Sequence, residues 1–199
     1  MNNSERDKTL EYYETNTVEF YESTVIADLT ILHDKFLEQV PVGGRILDFG
    51  CGSGRDTKVF LDRGYQVDAI DGSAELSKLA SQYTGIQVRC MDFFDLDAIN
   101  TYNGIWACAS LLHVEKQRIP DIISKLRDAL VTGGVLYMSF KYGDFNEFRD
   151  ERHFTDLNEE LAEELLSKIN GIETVDIWQS YDVRRGKDVH WLNVMVRKV

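Results

Sequence analysis

Proline, cysteine and positive charge are all scarce in this sequence of 199 residues. The two prolines, Pro41 and Pro120, form no linker that would divide the chain. The three cysteines, Cys51, Cys90 and Cys108, are odd in number and lack the spacing of metal ligands, so we expect reduced thiols, no bound metal and a cytoplasmic protein. Neither the polar N-terminus nor any later segment provides the ~20 apolar residues of a membrane span, so no membrane partner is expected.

Acidic residues outnumber basic ones by 34 to 22, which gives a formal net charge of −12. Non-specific nucleic-acid binding needs clustered Lys and Arg, so a nucleic-acid partner is not expected. Hydrophobic residues make up 43% of the chain, enough for a substantial core. The length predicts a single domain over residues 1–199. The composition leaves the oligomeric state open.

Apolar residues recur at steps of three and four between residues 18 and 40. They are Val18, Tyr21, Val25, Leu29, Leu32, Phe36 and Val40. This spacing predicts one amphipathic helix, which Pro41 ends.

After residue 40 the sequence alternates between short apolar runs and helical segments. Ser73 and Asn158 are predicted N-caps, Pro120 a first-turn residue, and Gly64 and Gly85 C-terminal caps. The alternation predicts an α/β protein with a mostly parallel sheet of seven strands and helices on both faces. The last two runs, "IETVDIWQS" and "HWLNVMVRK", have no helix between them, which predicts a hairpin and one antiparallel strand.

The loop after the first predicted strand, in "ILDFGCGSGRD", carries glycine at three alternate positions. No lysine follows them, which excludes a nucleoside-triphosphate loop of the Walker type. In the dinucleotide pattern GxGxxG, the third glycine lets a helix pack closely on the strand, but Arg55 occupies that position here. An NAD-type oxidoreductase is therefore disfavoured but stays open as an alternative.

Asp48 followed by Gly50, Gly52 and Gly54 resembles motif I of the class I S-adenosylmethionine-dependent methyltransferases. Asp71 ends the second strand about twenty residues later, where an acid accepts hydrogen bonds from ribose hydroxyls in doubly wound folds. The resemblance implies a Rossmann-like fold, S-adenosylmethionine as cofactor and S-adenosylhomocysteine as product. The implied cofactor-binding residues are Tyr12, Asp48, Gly50, Cys51, Gly52, Gly54, Arg55, Asp71, Gly72, Met91, Asp92, Phe93, Cys108 and Leu112.

The segments "YYETNTVEFYEST" and "DVRRGKDVHWLNVMVRK" resemble small bacterial methyltransferases related to tellurite-resistance proteins. This finer resemblance implies that residues 1–40 form a helical lid over the cofactor. It also implies that Tyr12 or Tyr13 contacts the cofactor.

Methyl transfer from a sulfonium is an in-line displacement, in which the enzyme mainly positions the acceptor and excludes water. A soft acceptor that arrives ionised needs no base, so no catalytic residue is assigned beyond the candidate His113, which a structural role would also explain. Arg152 and Arg184 are the candidate substrate-binding residues because arginine recognises oxyanions. The sequence therefore predicts a methyltransferase for a soft or anionic small molecule. A non-catalytic module that binds S-adenosylmethionine and regulates a partner is the second alternative.

Overall fold

The computed structural model describes residues 3–184, 186 and 188–199, and its main feature is a twisted seven-stranded sheet. The strands of this sheet are β1 (Arg45–Phe49), β2 (Gln66–Asp71), β3 (Arg89–Cys90), β4 (Tyr102–Ala107), β5 (Leu130–Lys141), β8 (Ile172–Tyr181) and β9 (His190–Lys198). Two further strands, β6 (Asn146–Arg149) and β7 (Arg152–Thr155), lie outside it. The helices are α1 (Asn3–Thr15), α2 (Thr17–Thr24), α3 (Thr30–Leu37), α4 (Arg55–Asp62), α5 (Ala74–Thr84), α6 (Ile119–Ala129) and α7 (Glu159–Leu166).

The strand order is β3-β2-β1-β4-β5-β9-β8, and within this sheet β9 runs in the opposite direction to the other six strands. The predicted α/β fold and terminal hairpin are therefore confirmed. The chain winds outward from β1 through β2 to β3 and then returns to β4 on the other side of β1. This reversal places a crevice outside the carboxyl ends of β1 and β4, where ligands bind in open α/β sheets.

The predicted helix caps are confirmed by their hydrogen bonds. The Ser73 hydroxyl accepts from the backbone N–H of Leu76, and the Asn158 side chain accepts from that of Leu161. Pro120 lies in the first turn of α6. Gly85 follows α5 with a left-handed φ of 80°, which glycine adopts without a steric cost.

The prediction of one helix over residues 18–40 is wrong, because the segment is divided into α2 and α3. Asp28 causes the division: its carboxylate accepts from the backbone N–H of Thr30 at 2.9 Å and from the Thr30 hydroxyl at 2.6 Å. Such a local bond competes with the helical pattern and begins a new helix. The two parts pack differently, since Phe36 in α3 is fully buried whereas Val18 in α2 is 63% exposed.

A hairpin formed by β6 and β7 lies outside the main sheet and was not predicted. Its two-residue turn holds Asp150 and Glu151 at φ values of 50° and 64°. Both are left-handed, as in the turns that favour Asn-Gly in hairpins. No glycine marks this turn, so the sequence gives little sign of it.

One face of the sheet is covered by an aromatic cluster. Trp106 of β4 and Tyr137 of β5 are paired in register and stack with ring centroids 3.9 Å apart. Phe36 and Phe60 pack on Trp106 from α3 and α4. The cluster fixes α3 and α4 beside the carboxyl ends of the central strands. Among the described residues, no helix is long and apolar enough to cross a membrane.

Candidate functional site

The glycine loop joins β1 to α4, and all three of its alternating glycines have left-handed φ values between 54° and 78°. The backbone N–H groups of Gly50 and Cys51 donate to the Ile70 carbonyl at 3.0 and 2.9 Å, which holds the loop against β2. Gly50 and Gly52 line cavities. A Cβ on Gly54 would instead lie 2.8 Å from a Thr84 methyl, so this glycine allows α4 to pack on α5.

Asp71 stands at the carboxyl end of β2 with its carboxylate toward the glycine loop. It accepts from the backbone N–H of Gly52 at 2.8 Å and from that of Ser73 at 2.9 Å. Burial raises the pKa of this carboxyl despite these two bonds. Each oxygen keeps a further lone pair for another donor.

A cavity of about 310 Å³ lies at the carboxyl ends of β1, β2 and β4. Seven of the predicted cofactor residues line it: Gly50, Gly52, Asp71, Gly72, Met91, Asp92 and Phe93. Residues not predicted from the sequence complete it, notably Thr9, Leu10, Phe20, Leu76 and Ser110. Helices α1 and α2 therefore form part of its wall.

A second cavity, of about 850 Å³, adjoins the first at the ends of β4, β5 and β9. It contains the predicted residues Tyr12, Cys51, Arg55, Cys108, Leu112, His113, Arg152 and Arg184. The two cavities share six lining residues: Tyr13, Phe20, Gly50, Gly52, Ala109 and His113. We call them the smaller and the larger cavity.

Asp48 lines neither cavity and is only 2% exposed. Its carboxyl accepts from the Thr57 hydroxyl at 2.6 Å, which ties β1 to the first turn of α4. Burial, together with the negative charge of Asp56, raises the pKa of Asp48 to about 8. The geometry therefore gives this residue a part in holding the loop.

Arg55 begins α4 and forms a bidentate pair with Asp56 at 2.7 and 2.8 Å. The Asp56 carboxylate also accepts from His33 Nε2 at 2.9 Å and Trp106 Nε1 at 2.8 Å. Although burial acts to raise the pKa of Asp56, Arg55 and His33 hold it below its usual range. Arg55 is thus a neutralised cation in the wall of the larger cavity.

His113 lies between the two cavities and is hydrogen-bonded through both ring nitrogens. Nδ1 is 2.8 Å from the His153 carbonyl, an acceptor, so Nδ1–H donates and Nε2 carries the lone pair. The Tyr13 hydroxyl, 2.7 Å away, donates to Nε2. Burial lowers the pKa of His113 to about 3, so the ring is neutral at physiological pH. This geometry favours a positioning role over proton abstraction.

The two candidate substrate arginines differ in their partners. Arg184 makes a bidentate pair with Asp182 at 2.9 and 2.6 Å. Arg152 has no carboxylate partner within the part of the chain that the structure describes, and its guanidinium stacks 4.1 Å from the Tyr12 ring centroid. The larger cavity therefore contains both neutralised and unneutralised arginines.

Comparisons with known proteins agree with this geometry. A family model described as a methyltransferase domain matches residues 46–134. An uncharacterized methyltransferase of Staphylococcus carnosus is 26% identical over 158 residues, which cover 75% of this chain and 76% of that protein.

Two solved structures show the same fold. A Burkholderia thailandensis 1,6-didemethyltoxoflavin-N1-methyltransferase with bound 1,6-didemethyltoxoflavin and S-adenosylhomocysteine has a TM-score of 0.77 at 21% identity, covering 98% of this chain and 87% of that one. A Synechocystis PCC 6803 magnesium protoporphyrin IX methyltransferase with bound S-adenosylmethionine has a TM-score of 0.73 at 15% identity, covering 98% and 97%.

The strand order and the glycine loop define a Rossmann-like, cofactor-binding fold of the class I type. Residues 46–134 match the methyltransferase-domain model, and this match, the methyltransferase relatives and the fold together support a class I S-adenosylmethionine-dependent methyltransferase with S-adenosylmethionine as cofactor. These findings favour methyl transfer over the NAD-type alternative. The finer resemblance to tellurite-resistance-related methyltransferases stays a prediction.

The residues at the smaller cavity fit the adenosine part of this cofactor. Its rim supplies an acidic side chain, Asp71, at the β2 end, and aromatic Phe93 with Met91 after β3. The Ser110 hydroxyl is buried in the same wall with no hydrogen-bond partner within the described part of the chain. A polar ligand would satisfy that oxygen, since buried polar atoms are rarely left unpaired.

Proposed function

We propose that this methyltransferase acts on a small molecule that binds in the larger cavity, while the adenosine of the cofactor occupies the smaller one. The observation that carries the proposal is the shared wall between the two cavities. A methyl group must be passed along a line from sulfonium to acceptor, so donor and acceptor sites must abut.

The proposed cofactor contacts follow from the two cavities. Asp71 accepts from the ribose hydroxyls, Asp92 accepts from the adenine amino group, and Phe93 lies along the ring. The methionyl arm passes Gly52 toward the start of α4, where the backbone N–H groups of the first turn, beside Arg55, meet its carboxylate. S-adenosylmethionine supplies an electrophilic methyl group, and the chain supplies orientation and exclusion of water.

The proposed acceptor is soft or anionic, because the described residues around the shared wall offer no free base. His113 holds its lone pair toward Tyr13, and burial raises the pKa of Tyr13 to about 12. Burial likewise raises the pKa of the Cys108 thiol to about 12. An acceptor that brings an already nucleophilic atom needs none of these groups as a base.

The size of the larger cavity supports a small-molecule acceptor. A volume of about 850 Å³ lies in the range of small-molecule sites. The two structural neighbours named above are methyltransferases named for toxoflavin-type and porphyrin compounds. The acidic chain is a poor match for a nucleic acid, and we place the reaction in the cytoplasm because the cysteines are free.

We further propose that α1 and α2 form the lid, rather than all of residues 1–40. Phe36 and His33 of α3 are buried in the aromatic cluster, which fixes α3 to the core. Thr9, Leu10 and Phe20 of the first two helices border the smaller cavity. Segment 25–29 between α2 and α3 is then the hinge.

The test is methyl transfer from isotope-labelled S-adenosylmethionine into a mixture of small metabolites, with protein and nucleic-acid fractions assayed in parallel. We expect label in the small-molecule fraction and micromolar binding of S-adenosylhomocysteine by calorimetry. Label only in polymers would refute the small-molecule acceptor. Product binding without transfer to any fraction would favour the regulatory module.

A further inference from the structure

Three cations surround the ring of Phe154, which is 3% exposed. Lys141 Nζ lies 3.8 Å from the ring centroid, and the guanidinium carbons of Arg149 and Arg152 each lie 5.1 Å from it. Arg149 is paired with Asp156 at 2.7 Å. Three like charges around one buried ring repel one another unless anions balance them.

Two of these cations lack an acidic partner. Among the described residues, no carboxylate oxygen lies within 4.0 Å of the charged nitrogens of Lys141 or Arg152. Asp150, exposed at the hairpin turn, makes no ion pair with either. Burial and the nearby charges of Arg149 and Arg152 lower the pKa of Lys141, although the charges of Asp156 and Asp150 act to raise it. Both unpaired cations line the larger cavity, whereas Arg149 does not.

Arg152 also carries an unmet hydrogen-bond donor. Its Nε is buried and has no partner among the described residues. The face of its guanidinium is covered by the Tyr12 ring at 4.1 Å. Stacking occupies the face and leaves the edge, where the N–H groups form a fork that matches a carboxylate.

Among the described residues, the other cations that line the larger cavity are already neutralised. Arg55 is paired with Asp56, and Arg184 with Asp182. An acidic ligand therefore gains most at Lys141 and Arg152. This contrast separates Arg152 from Arg184, two residues that the sequence alone treats alike.

We propose that Lys141 and Arg152 form an anion subsite in the larger cavity and that the methyl acceptor is a small organic carboxylate. The carboxylate lies against the Arg152 edge and Lys141 Nζ, and the apolar body of the acceptor packs beside Tyr12 and Phe154. This inference rests on the proposed function. The methionyl carboxylate of the cofactor has the same chemistry, but the proposed function places it against the backbone N–H groups at the start of α4, directly after the glycine loop.

The first experiment distinguishes a carboxylate of the methyl acceptor from the methionyl carboxylate of the cofactor as the group that Lys141 and Arg152 bind. S-adenosylhomocysteine and 5′-methylthioadenosine, which lacks the methionyl carboxylate, are titrated by calorimetry into the wild type, Lys141→Gln and Arg152→Gln. We expect both variants to bind each compound within about twofold of the wild type. A selective loss of S-adenosylhomocysteine affinity in Arg152→Gln would show that Arg152 holds the cofactor, and would overturn the proposal.

The second experiment probes the subsite with benzoate, and with inorganic phosphate in parallel. We expect benzoate to bind the product-loaded protein, and Arg152→Gln and Lys141→Gln each to weaken it about tenfold or more, because a charge-assisted bond is lost. Arg149→Gln is the matched control, because Arg149 also lies beside the Phe154 ring but does not line the cavity. We expect this substitution to change the benzoate affinity by less than about threefold.

Equal benzoate binding in all variants, or binding of phosphate but not benzoate, would refute the carboxylate subsite. Benzoate is also titrated without product. A protein that binds benzoate through Lys141 and Arg152 but never binds S-adenosylhomocysteine would uphold the subsite and refute the proposed function. The two failures are thus distinguishable.

Discussion

Replacing Asp71 by asparagine tests the proposed ribose contact with little change in shape. A carboxylate that accepts from two ribose hydroxyls contributes about 1.5–3 kcal/mol for each bond. Asparagine keeps one acceptor oxygen, so Asp71→Asn should cost about 2–3 kcal/mol of binding free energy. This corresponds to a loss of about 30- to 150-fold in affinity for S-adenosylhomocysteine.

The same substitution also disturbs the loop, because the new amide faces N–H groups that now donate to Asp71. The carboxylate binds the backbone of Gly52 and Ser73 at 2.8 and 2.9 Å, and an NH₂ group in either place would oppose a donor. A double-mutant cycle removes this loop effect. The first change in the cycle is Asp71→Asn. The second is made in the ligand, where S-adenosylhomocysteine is replaced by an analogue that lacks the two ribose hydroxyls.

Calorimetry on both proteins with both ligands gives the coupling free energy. We expect about 2–3 kcal/mol for Asp71 and none for the control Asp68→Asn, which changes an acid three residues earlier on β2. A coupling below about 0.5 kcal/mol would show that the ribose lies elsewhere, even if Asp71→Asn binds more weakly.

The pH dependence gives a separate check on Asp71. Burial raises its pKa, and the ribose contact needs the charged form, so affinity is full above that pKa and is lost as the pH falls through it. Affinity of the wild type should therefore decline at a higher pH than an ordinary aspartate would cause. Asp71→Asn should lack this decline, and identical pH profiles would contradict the assignment.

Three further predictions concern stability and are checked by urea unfolding. The pKa of Asp48 is about 8 in the folded protein and about 3.9 in the unfolded chain, so the free energy of unfolding of the wild type falls as the pH rises between these values, by up to about 1.4 kcal/mol per pH unit. Asp48→Asn should lack this pH dependence. The same pH dependence in wild type and variant would refute the raised pKa. Gly54→Ala should cost about 3 kcal/mol from backbone strain plus overlap with α5, whereas Gly64→Ala, left-handed but in open space, should cost about 1; equal costs would contradict the packing role. Asp56→Asn should cost about 3–5 kcal/mol because it leaves Arg55 buried without its counter-charge, and a cost below about 1 would argue against that pair.

The sheet and its helix ends could be predicted from the sequence because each depends on local chemistry. Apolar runs between helical segments indicate buried parallel strands, and Ser73 and Asn158 form bonds within three residues of themselves. The break in the N-terminal helix could not be predicted from periodicity. Asp28 bonds Thr30 at the start of α3 without disturbing the three-and-four spacing of apolar residues on either side.

The candidate site could be predicted only in part, for a similar reason. Gly50 and Gly52 follow β1 and Asp71 ends the adjacent strand β2, so their meeting is a consequence of the parallel sheet. Arg184 pairs with Asp182 only two residues away, so that local contact was open to prediction, whereas the stacking of Arg152 on Tyr12 joins distant parts of the chain and is made only after folding. The hairpin that carries Arg152 has no turn signal in the sequence.

Helix α1 is attached at both ends of the site. On the ribose side the Glu14 carboxylate accepts from the backbone N–H of Ala74 at 2.6 Å, and on the acceptor side Thr9 Oγ1 accepts from that of His153 at 3.1 Å. In the proposed arrangement a cofactor beneath α1 leaves only when both attachments open, and lid opening limits turnover in many enzymes. We therefore expect a burst of one methylated product per enzyme followed by a slower steady rate. Shortening Glu14 to alanine should raise the steady rate while leaving the burst amplitude unchanged.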